Sequence, residues 1–339
     1  MSFSKKKIKI IFLVVLVFFL YQICAISQEI RLVFALGTTP ISGDYPGQVK
    51  YAELGIKGIP GATITVISPG GSEAVMAALT NYEADAGMCG ATAYSYVHHT
   101  GSWEGQSNPN NIRVLNIRDI AYNPIAVRAD SDIYQISDLE GKKVFFGWPG
   151  TSCQANTRAA IVEALGIKVD EYVGSLSDGV QAMKDGRIVA FTKTLAGNRL
   201  DATHIDIMTT KPLRFIGFNW EELKKIQSKF PWLGYAELPK GWFPSMPPDQ
   251  EAFIVNNITR MVMCRDDFPE EYAYNWAKSI VENWGEIVAL APSQEAVDPL
   301  DCPKLVSTID QIYLHPGAIR YYREMGIEIP ESVIPPEMK

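Results

Sequence analysis

Two glycine turns in the sequence bring hydroxyl side chains to positions that suit anion binding. One is Ser68-Pro69-Gly70-Gly71-Ser72 and the other is Gly150-Thr151-Ser152-Cys153, and each precedes apolar residues at helical spacing. The first turn of a helix leaves backbone N–H groups unpaired and carries partial positive charge, so small residues there can hold a carboxylate without a basic side chain. Such turns also cap helices for purely structural reasons. Their recurrence favours a carboxylate site.

The second turn also resembles an incomplete catalytic motif. Residues 150–154 read Gly-Thr-Ser-Cys-Gln, which matches the GxSxG nucleophile elbow except for its last glycine. A hydrolase built on Ser152 or Cys153 would also need a histidine and an acid in place. A secreted serine or cysteine hydrolase is therefore the alternative function, and the preferred interpretation has no catalytic residue.

Templates for common cofactor and metal sites are absent from the sequence. It contains no GxGxxG, no GxxxxGK[ST], no HExxH and no CxxC pair. The adjacent His98 and His99 would point to different faces of a regular element, which is poor geometry for a shared metal. We predict no cofactor and no metal.

The glycine turns follow predicted strands in both halves of the chain. Apolar runs predict strands at residues 30–36, 63–67, 86–88, 120–127, 143–147, 172–174 and 189–192. Helices are predicted at 155–165, at 177–184 with Ser177 as N-cap, at 220–230, along the apolar face of 272–288, and at 317–325. This strand–turn–helix order predicts an α/β protein with two parallel-sheet lobes. Ligands of open α/β sheets bind at the carboxyl ends of the strands, so two facing edges predict a cleft.

The predicted domain boundaries follow this order. Residues 1–27 are a signal peptide, 28–122 the N-terminal part of lobe one, and 123–248 lobe two. Residues 249–339 form a crossover return and C-terminal helices that pack on lobe one, because the short apolar runs 253–255 and 261–264 return the chain there.

Residues 1–27 have the order of a secretory signal. Four lysines precede the apolar residues 10–20, and small residues lie before the expected cleavage near Ser27. A spanning helix normally needs about 20 apolar residues, so we expect cleavage, with an uncleaved anchor or lipidation at Cys24 as alternatives. The signal predicts export from the cytoplasm, and the family resemblance given below implies that the location is the periplasm.

Composition and charge exclude several classes of protein. The chain has 339 residues, 47% of them apolar and 20% charged, which is typical of a folded protein with room for two domains. Its formal charge of −7 becomes −11 without residues 1–27, which argues against a nucleic-acid partner. An acidic protein that binds anions must do so locally. We therefore expect helix N-termini and hydroxyls at the cleft, with the excess carboxylates on the outer surface.

The cysteines that follow residue 27 are widely spaced. They are Cys89, Cys153, Cys264 and Cys302. An oxidising compartment permits a disulfide, and Cys264 with Cys302 is the pair to test first, although sequence alone does not fix the connectivity.

The chain resembles the TAXI (TRAP-associated extracytoplasmic immunogenic) solute receptors over roughly residues 32–327. Residues 137–144, Ser-Asp-Leu-Glu-Gly-Lys-Lys-Val, are similar to the family's DLkGKrV, and residues 315–324 to its C-terminal HPGAirYyrE. Gly37-Thr38-Thr39 and Gly43-Asp44-Tyr45 also match the family pattern. The resemblance implies a type II periplasmic-binding-protein fold, with two α/β lobes around a ligand cleft. It also implies delivery of a small organic carboxylate (an amino, keto, dicarboxylic or aromatic acid) to the membrane subunits of a TRAP permease.

The predicted ligand contacts come from these motifs and the neighbouring turns. They are Gly37, Thr38, Thr39, Tyr45, Ser68, Ser72, Gly90, Thr92, Trp148, Gly150, Thr151, Ser152 and Cys153. His315 and Arg320 are expected to support the fold or the permease-facing surface instead. A ligand sensor for a membrane kinase is a further alternative that sequence separates poorly from transport.

Two departures from the family pattern concern the ligand. The turn 150–153 lacks the second glycine of the family's GSGT, and Gly90-Ala91-Thr92 replaces a Gln-Ser-Asp run. The loss of an amide and a carboxylate from a pocket wall should weaken recognition of an ammonium group. We hypothesise that the ligand is a carboxylate without an α-amino group, or a bulkier acid that fills the space beside Trp148.

Overall fold

The computed structural model describes residues 30–339 apart from residues 41, 43, 91, 107–108, 198, 231 and 244–250, so the predicted signal segment lies outside the described residues. The strands are β1 (Ile30–Ala35), β2 (Ala62–Ile67), β3 (Ala86–Cys89), β4 (Ile112–Asn123), β5 (Ile125–Arg128), β6 (Lys143–Phe145), β7 (Asp170–Glu171), β8 (Ala190–Thr192), β9 (Leu195–Ala196), β10 (Leu213–Ile216), β11 (Gly234–Leu238) and β12 (Phe253–Arg265). The helices are α1 (Tyr45–Lys57), α2 (Ser72–Thr80), α3 (Thr92–Val97), α4 (Ser152–Arg158), α5 (Leu176–Lys184), α6 (Ala202–Met208), α7 (Trp220–Lys229), α8 (Glu270–Glu282), α9 (Trp284–Leu290), α10 (Cys302–Val306) and α11 (Pro316–Glu324).

Two mixed sheets form the centres of two lobes. The sheet of lobe one has the order β2-β1-β3-β12-β4-β9, with β11 also paired to β12, and the sheet of lobe two has the order β10-β5-β8-β6-β7. Strand β1 is parallel to β2 and β3, and β6 is parallel to β7 and β8. Strand β12 runs antiparallel to β3 and β4, and β5 runs antiparallel to β8 and β10. The prediction of purely parallel sheets is therefore wrong, because the chain leaves lobe one along β4 and returns along β12 in the opposite direction.

Strands β4 and β12, here called the hinge, join the two lobes. They pair with each other from Ile112 opposite Arg265 to Ala121 opposite Ile258. The apolar segment 120–127, predicted as one strand, is divided between β4 and β5 at Pro124, which has no N–H to donate. The runs 253–255 and 261–264, predicted as separate, belong to the single strand β12. Strand β12 pairs with β3 of the first sheet.

Apolar clusters cover both faces of each sheet. Trp276 of α8 is fully buried and stacks on Phe34 of β1 with ring centroids 5.5 Å apart. Gly55 of α1 makes room for this ring, since a Cβ there would lie 2.3 Å from it. In lobe two, Phe145 of β6 stacks on Phe191 of β8 at 5.3 Å. Of the two tryptophans on the predicted 272–288 face, Trp276 is therefore a core residue, as its spacing indicates, and Trp284 is half-buried against Tyr51.

Several helix boundaries differ from the predicted ones. The 272–288 segment forms two helices, α8 and α9, separated at Asn283. Helix α4 begins at Ser152, earlier than predicted, and continues as a π-helical turn over Ala159–Ala164. This helical segment ends before Gly166, which has a φ of +73° and so adopts a backbone conformation that favours glycine.

The predicted start of α5 is wrong by two residues. Ser175 rather than Ser177 caps the helix, because its hydroxyl accepts from the backbone N–H of Asp178 while the Asp178 carboxylate accepts from Ser175. The strand predicted at 172–174 lies earlier, as the short β7.

The described cysteines are buried free thiols. Cys264 belongs to the apolar cluster around Trp276, whereas Cys302 belongs to the cluster around Tyr322 on the other face of the sheet. Alternate residues of β12 face opposite sides, so the sheet itself separates the two sulfur atoms. The Cys264–Cys302 disulfide is therefore absent from this structure.

None of the helices within the described part of the chain has the length and apolar character needed to cross a membrane.

Candidate functional site

A small pocket lies between the lobes, at the carboxyl ends of four strands. Its volume is about 70 Å³. Gly37 follows β1, Gly90 follows β3, Trp148 follows β6 and Lys193 follows β8. The lining residues are Gly37, Thr38, Ser42, Asp44, Ser72, Gly90, Trp148, Thr151, Ser152, Cys153, Lys193, Thr194, Ile258 and Arg260. The strand-end rule, by which ligands of open α/β sheets bind at the carboxyl ends of the strands, points to the edge of both sheets at which this pocket lies.

Direct contacts close the lobes around this pocket. The Trp148 Nε1–H of lobe two donates to the Gly70 carbonyl of lobe one at 3.2 Å. The hydroxyls of Thr92 and Ser152 lie 3.3 Å apart across the same gap. A Cβ at Gly71 would lie 2.5 Å from the Gly150 carbonyl oxygen, so only glycine permits this approach. The structure is therefore a closed form.

Most of the predicted contact residues line the pocket. They are Gly37, Thr38, Ser72, Gly90, Trp148, Thr151, Ser152 and Cys153. Thr92 and Gly150 lie beside it through the interlobe contacts just described. Thr151 is the N-cap of α4, and its hydroxyl also donates to the Trp148 carbonyl at 2.7 Å.

The other predicted residues lie behind the lining. The Ser68 hydroxyl donates to the Thr38 carbonyl and so fixes the loop that carries Thr38. Thr39 has a buried hydroxyl without a hydrogen-bond partner among the described residues. Tyr45 begins α1 and packs against the apolar cluster of that helix.

A partly buried network of charged residues holds an arginine at the pocket. Arg260 of β12 donates to both carboxylate oxygens of Asp119, at 2.5 and 2.7 Å, and to Asp44 at 3.0 Å. Arg118 of β4 donates to the other oxygen of Asp44, and Gln48 donates to Asp44 at 3.1 Å. Both oxygens of Asp44 are therefore engaged, and the loop before α1 is tied to the hinge.

The electrostatics of this network keep Asp44 and Arg260 charged. Burial raises the pKa of the Asp44 carboxyl, but the Arg118 and Arg260 guanidinium groups outweigh burial and hold this pKa well below its usual value. Burial lowers the pKa of Arg260, but Asp119 and Asp44 outweigh it and raise this pKa above its ordinary value. Asp44 and Arg260 therefore form an ion pair at all ordinary pH values.

Lobe two supplies a second cation. Lys193 is 4% exposed and donates to the Asp201 carboxylate. Asp201 caps α6, accepts from the backbone N–H of His204 at 3.1 Å, and lies 2.9 Å from His204 Nδ1. Burial raises the pKa of Asp201, and Lys193 and His204 outweigh it, so this pKa lies below its usual value. Lys193 is thus held at the pocket as part of a second ion pair.

The arrangement gives no support to a nucleophilic mechanism. The lining residues include no histidine within the described chain, and Ser152 shares its hydroxyl contact with Thr92. Burial raises the pKa of the Cys153 thiol to about 11, so the thiol stays protonated near neutral pH. The pocket can bind and enclose a small polar molecule.

Sequence reasoning missed Ser42, Asp44, Lys193, Thr194, Ile258 and Arg260 as lining residues. Lys193 and Thr194 directly follow a predicted strand, so the strand-end rule would have found them. Arg260 has a weaker signal, a charged residue within an apolar strand. The expectation that the cleft binds a carboxylate without basic side chains is wrong, because Lys193 and Arg260 line the pocket. Their partners Asp44, Asp119 and Asp201 are paired with these cations, so they do not belong to the excess carboxylates expected on the outer surface.

The C-terminal motif lies away from the pocket. His315 caps α11, where its Nδ1 accepts from the Gly317 N–H at 3.1 Å and its Nε2 lies 2.8 Å from the Phe268 carbonyl. Arg320 pairs with Glu270 and Glu271 of α8. Both residues join α11 to α8 and its preceding loop, as expected for support of the fold.

Solved structures similar to this chain include binding proteins of the periplasm. The periplasmic binding protein BugD is 12% identical, with a TM-score of 0.53 over 89% of this chain and 100% of that chain. A protein from Bordetella bronchiseptica RB50 is 13% identical, with a TM-score of 0.50 over 87% and 98% of the two chains. A TctC solute binding protein from Polaromonas is 12% identical, with a TM-score of 0.49 over 88% and 99%. The likeness to BugD shows the predicted fold, with two α/β lobes around a cleft.

The sequence also matches one family model over most of its length. The match is to the NMT1-like family and covers residues 36–326, which includes both lobes and the hinge. The chain therefore belongs to the NMT1-like family.

Proposed function

We propose that the protein is an extracytoplasmic solute-binding protein that captures a small organic carboxylate between its lobes. The observation that carries this proposal is the convergence of Arg260 and Lys193, from the hinge and from lobe two, on one closed pocket. Hydroxyl groups of Thr38, Ser72 and Ser152 line the same pocket. Cations and hydroxyls at one small site are the donors that a carboxylate needs.

Both cations have donors to spare. The bonds of Arg260 to Asp119 and Asp44 use three of its N–H groups, and a guanidinium carries more. The ammonium of Lys193 also has unused N–H groups, because its bond to Asp201 uses only one of them. A ligand carboxylate can accept from the remaining N–H groups without displacing any of the three aspartates.

The same geometry favours an acid without an α-amino group. Asp44 is the acidic side chain among the lining residues of the described chain, and Arg118, Arg260 and Gln48 already occupy its oxygens. A ligand ammonium would therefore lack a free carboxylate partner and would lie beside two cations. This agrees with the hypothesis drawn from the replaced residues 90–92.

Capture would work by population shift. A carboxylate that touches Lys193 of lobe two together with Thr38 and Ser72 of lobe one makes both sets of contacts only when the lobes are closed. Such a ligand stabilises the closed form by its differential affinity for that form. We propose that the closed form, exported to the periplasm, delivers the solute to a TRAP-type permease as the resemblance to TAXI receptors implies.

A thermal-shift screen against a carboxylate library tests the proposal. At about 100 times Kd, a ligand should stabilise the protein by about 2.7 kcal/mol. Lys193→Gln should weaken the binding of any hit by about tenfold or more, because a bond between a charged donor and a charged acceptor is lost. Lys225→Gln, an exposed lysine on α7 of the same lobe, is the matched control. A screen of amino, keto, hydroxy and aromatic acids without a hit would overturn the proposed function.

A further inference from the structure

The size of the closed pocket limits the ligand. Its volume is about 70 Å³. Pockets for drug-sized ligands are typically about 300–1,000 Å³. We infer that the pocket takes short-chain carboxylates of about two to four carbons, and that Gly90 and Ile258 set the upper limit. This inference rests on the function proposed above and names the ligand class of that same site.

The contacts that close the lobes also fix the pocket walls. Trp148 and Gly70 are joined by a hydrogen bond, and the Gly71 backbone approaches Gly150 so closely that a Cβ at Gly71 would lie 2.5 Å from the Gly150 carbonyl oxygen. Any widening of the pocket by lobe separation would break both contacts. The closed form therefore fits a ligand whose size matches the pocket volume better than it fits a larger ligand.

Trp148 leaves no space for a bulkier acid. Its indole N–H is engaged by the Gly70 carbonyl, and its ring packs against the apolar cluster of lobe two around Phe191 and Leu195. The ring is thus a part of the wall that joins the lobes. Of the two ligands hypothesised from the sequence, the structure favours the small acid without an α-amino group.

A larger chamber lies directly behind the pocket. It has a volume of about 650 Å³ and is lined by residues of both lobes, including Tyr94, Trp232 and Leu305. Gly90 and Ile258 line both the chamber and the pocket. A Cβ at Gly90 would lie 3.0 Å from Ile258 Cγ2 and 3.3 Å from Ser152 Oγ, so these residues meet as a partition. Gly90 and Ile258 thereby prevent an acyl chain from extending out of the pocket.

Two substitutions at the partition should change the ligand range in opposite directions. Ile258→Ala opens the pocket toward the chamber, so six- to eight-carbon acids should gain about tenfold or more in affinity. Gly90→Ala adds a methyl group to the pocket, so a four-carbon acid should lose about tenfold while a two-carbon acid loses less. Gly285→Ala is the matched control, because a Cβ at Gly285 meets no atom within 4 Å.

Calorimetric titration of the purified unmodified protein and of each variant measures these effects. The probes are glycolate, pyruvate, lactate, 2-hydroxybutyrate, 2-oxoglutarate, hexanoate, octanoate and phenylpyruvate. We expect the acids of about two to four carbons to bind unmodified protein about tenfold more tightly than the longer ones. A longer acid that binds more tightly, with Ile258→Ala making no difference, overturns the size limit and leaves the carboxylate function intact. If no acid binds, the proposed function itself fails. Should Gly90→Ala not fold, Ile258→Ala alone decides the outcome.

Discussion

The hinge and lobe two each hold a cation at the pocket, but they hold it in different ways. Arg260 of the hinge is bound by two aspartates, Asp119 on the neighbouring strand and Asp44 in the loop before α1. Lys193 of lobe two is bound by Asp201, which lies nearby in the same segment of chain. The first network joins distant parts of the molecule, whereas the second is local.

This difference separates a fixed part of the site from a part that closure brings in. Asp44 is also bound by Arg118 of β4, so the lobe-one loop cannot move without breaking buried ion pairs. Lys193 and Asp201 belong to the same lobe and travel together when that lobe rotates. The hinge network contains two arginines and two aspartates, and the lobe-two pair contains one lysine and one aspartate. Each is therefore neutral, which lets both cations lie at the pocket without an excess charge.

The largest expected effect comes from breaking the hinge network. Asp119→Ala removes a fully buried carboxylate, leaves Gln294 without its partner and leaves Arg260 with Asp44 alone, so the free energy of unfolding should fall by about 3–5 kcal/mol. Asp201→Ala should cost less, about 1–3 kcal/mol, because the flexible stem of Lys193 can turn its ammonium toward water. Urea unfolding followed by tryptophan fluorescence measures both values.

An exposed ion pair supplies the control for this comparison. Asp267 pairs with Arg265 at 2.9 Å on the surface of lobe one, so Asp267→Ala should cost about 0–1 kcal/mol. Equal losses for Asp119→Ala and Asp201→Ala would show that the hinge network is no more rigid than the local pair.

The lobes also differ in the way they bury histidine, and this predicts an acid effect of intermediate size. His204 of lobe two lies against the Asp201 carboxylate, whereas His315 is held by the Phe268 carbonyl and the Gly317 N–H. Burial lowers the pKa of His315 to about 4, and the nearby Arg113 contributes to that shift while the Phe268 carbonyl and Glu337 oppose it.

The sign of the effect follows from the unfolded value of about 6.5. As the pH falls below this value, the unfolded chain gains a proton at His315 before the folded chain does, so stability is lost between pH 6.5 and pH 4. The loss should be about 2 kcal/mol between pH 7.5 and pH 5. His315→Asn keeps an acceptor for the Gly317 N–H but does not titrate, so its unfolding free energy should depend less on pH. Parallel pH profiles for the two proteins would contradict the assignment.

The sheet edge at which the pocket lies could be predicted from sequence, because the signals for strand ends and turns are local. Glycine turns after apolar runs placed Gly37, Gly90 and Ser152 at strand ends, and these residues line the pocket. The direction of the hinge strands could not be predicted in this way. It depends on which strands pair across the molecule, which local periodicity does not specify.

The charged residues of the site show the same limit. Arg260 reaches the pocket only because β12 returns from lobe two and pairs with β4, which carries Asp119. Conversely, the C-terminal motif gives the strongest family resemblance in the sequence, yet His315 and Arg320 serve to join α11 to α8 and its preceding loop. A strong motif therefore indicates a shared fold more directly than a shared ligand contact.

The smallest expected effect separates lobe closure from the stability of one lobe. Trp148→Phe removes a hydrogen bond between the lobes, whereas Trp242→Phe removes a bond of the same 3.2 Å length, to the Gly197 carbonyl, within lobe two. Each bond is worth about 1 kcal/mol, so both variants should lose a similar unfolding free energy. Only Trp148→Phe should raise the ratio of open to closed molecules, and it should do so by about fivefold.

The pocket thiol reports this shift without any ligand. Cys153 lines the pocket and lies 3% exposed, whereas Cys264 and Cys302 are fully buried in the clusters of lobe one. Alkylation of Cys153, located by mass spectrometry, should therefore be about fivefold faster in Trp148→Phe and unchanged in Trp242→Phe. Equal acceleration in both variants would mean that the thiol is exposed by loosening of lobe two itself. Closure would then depend on the fixed hinge network more than on the contacts between the turns.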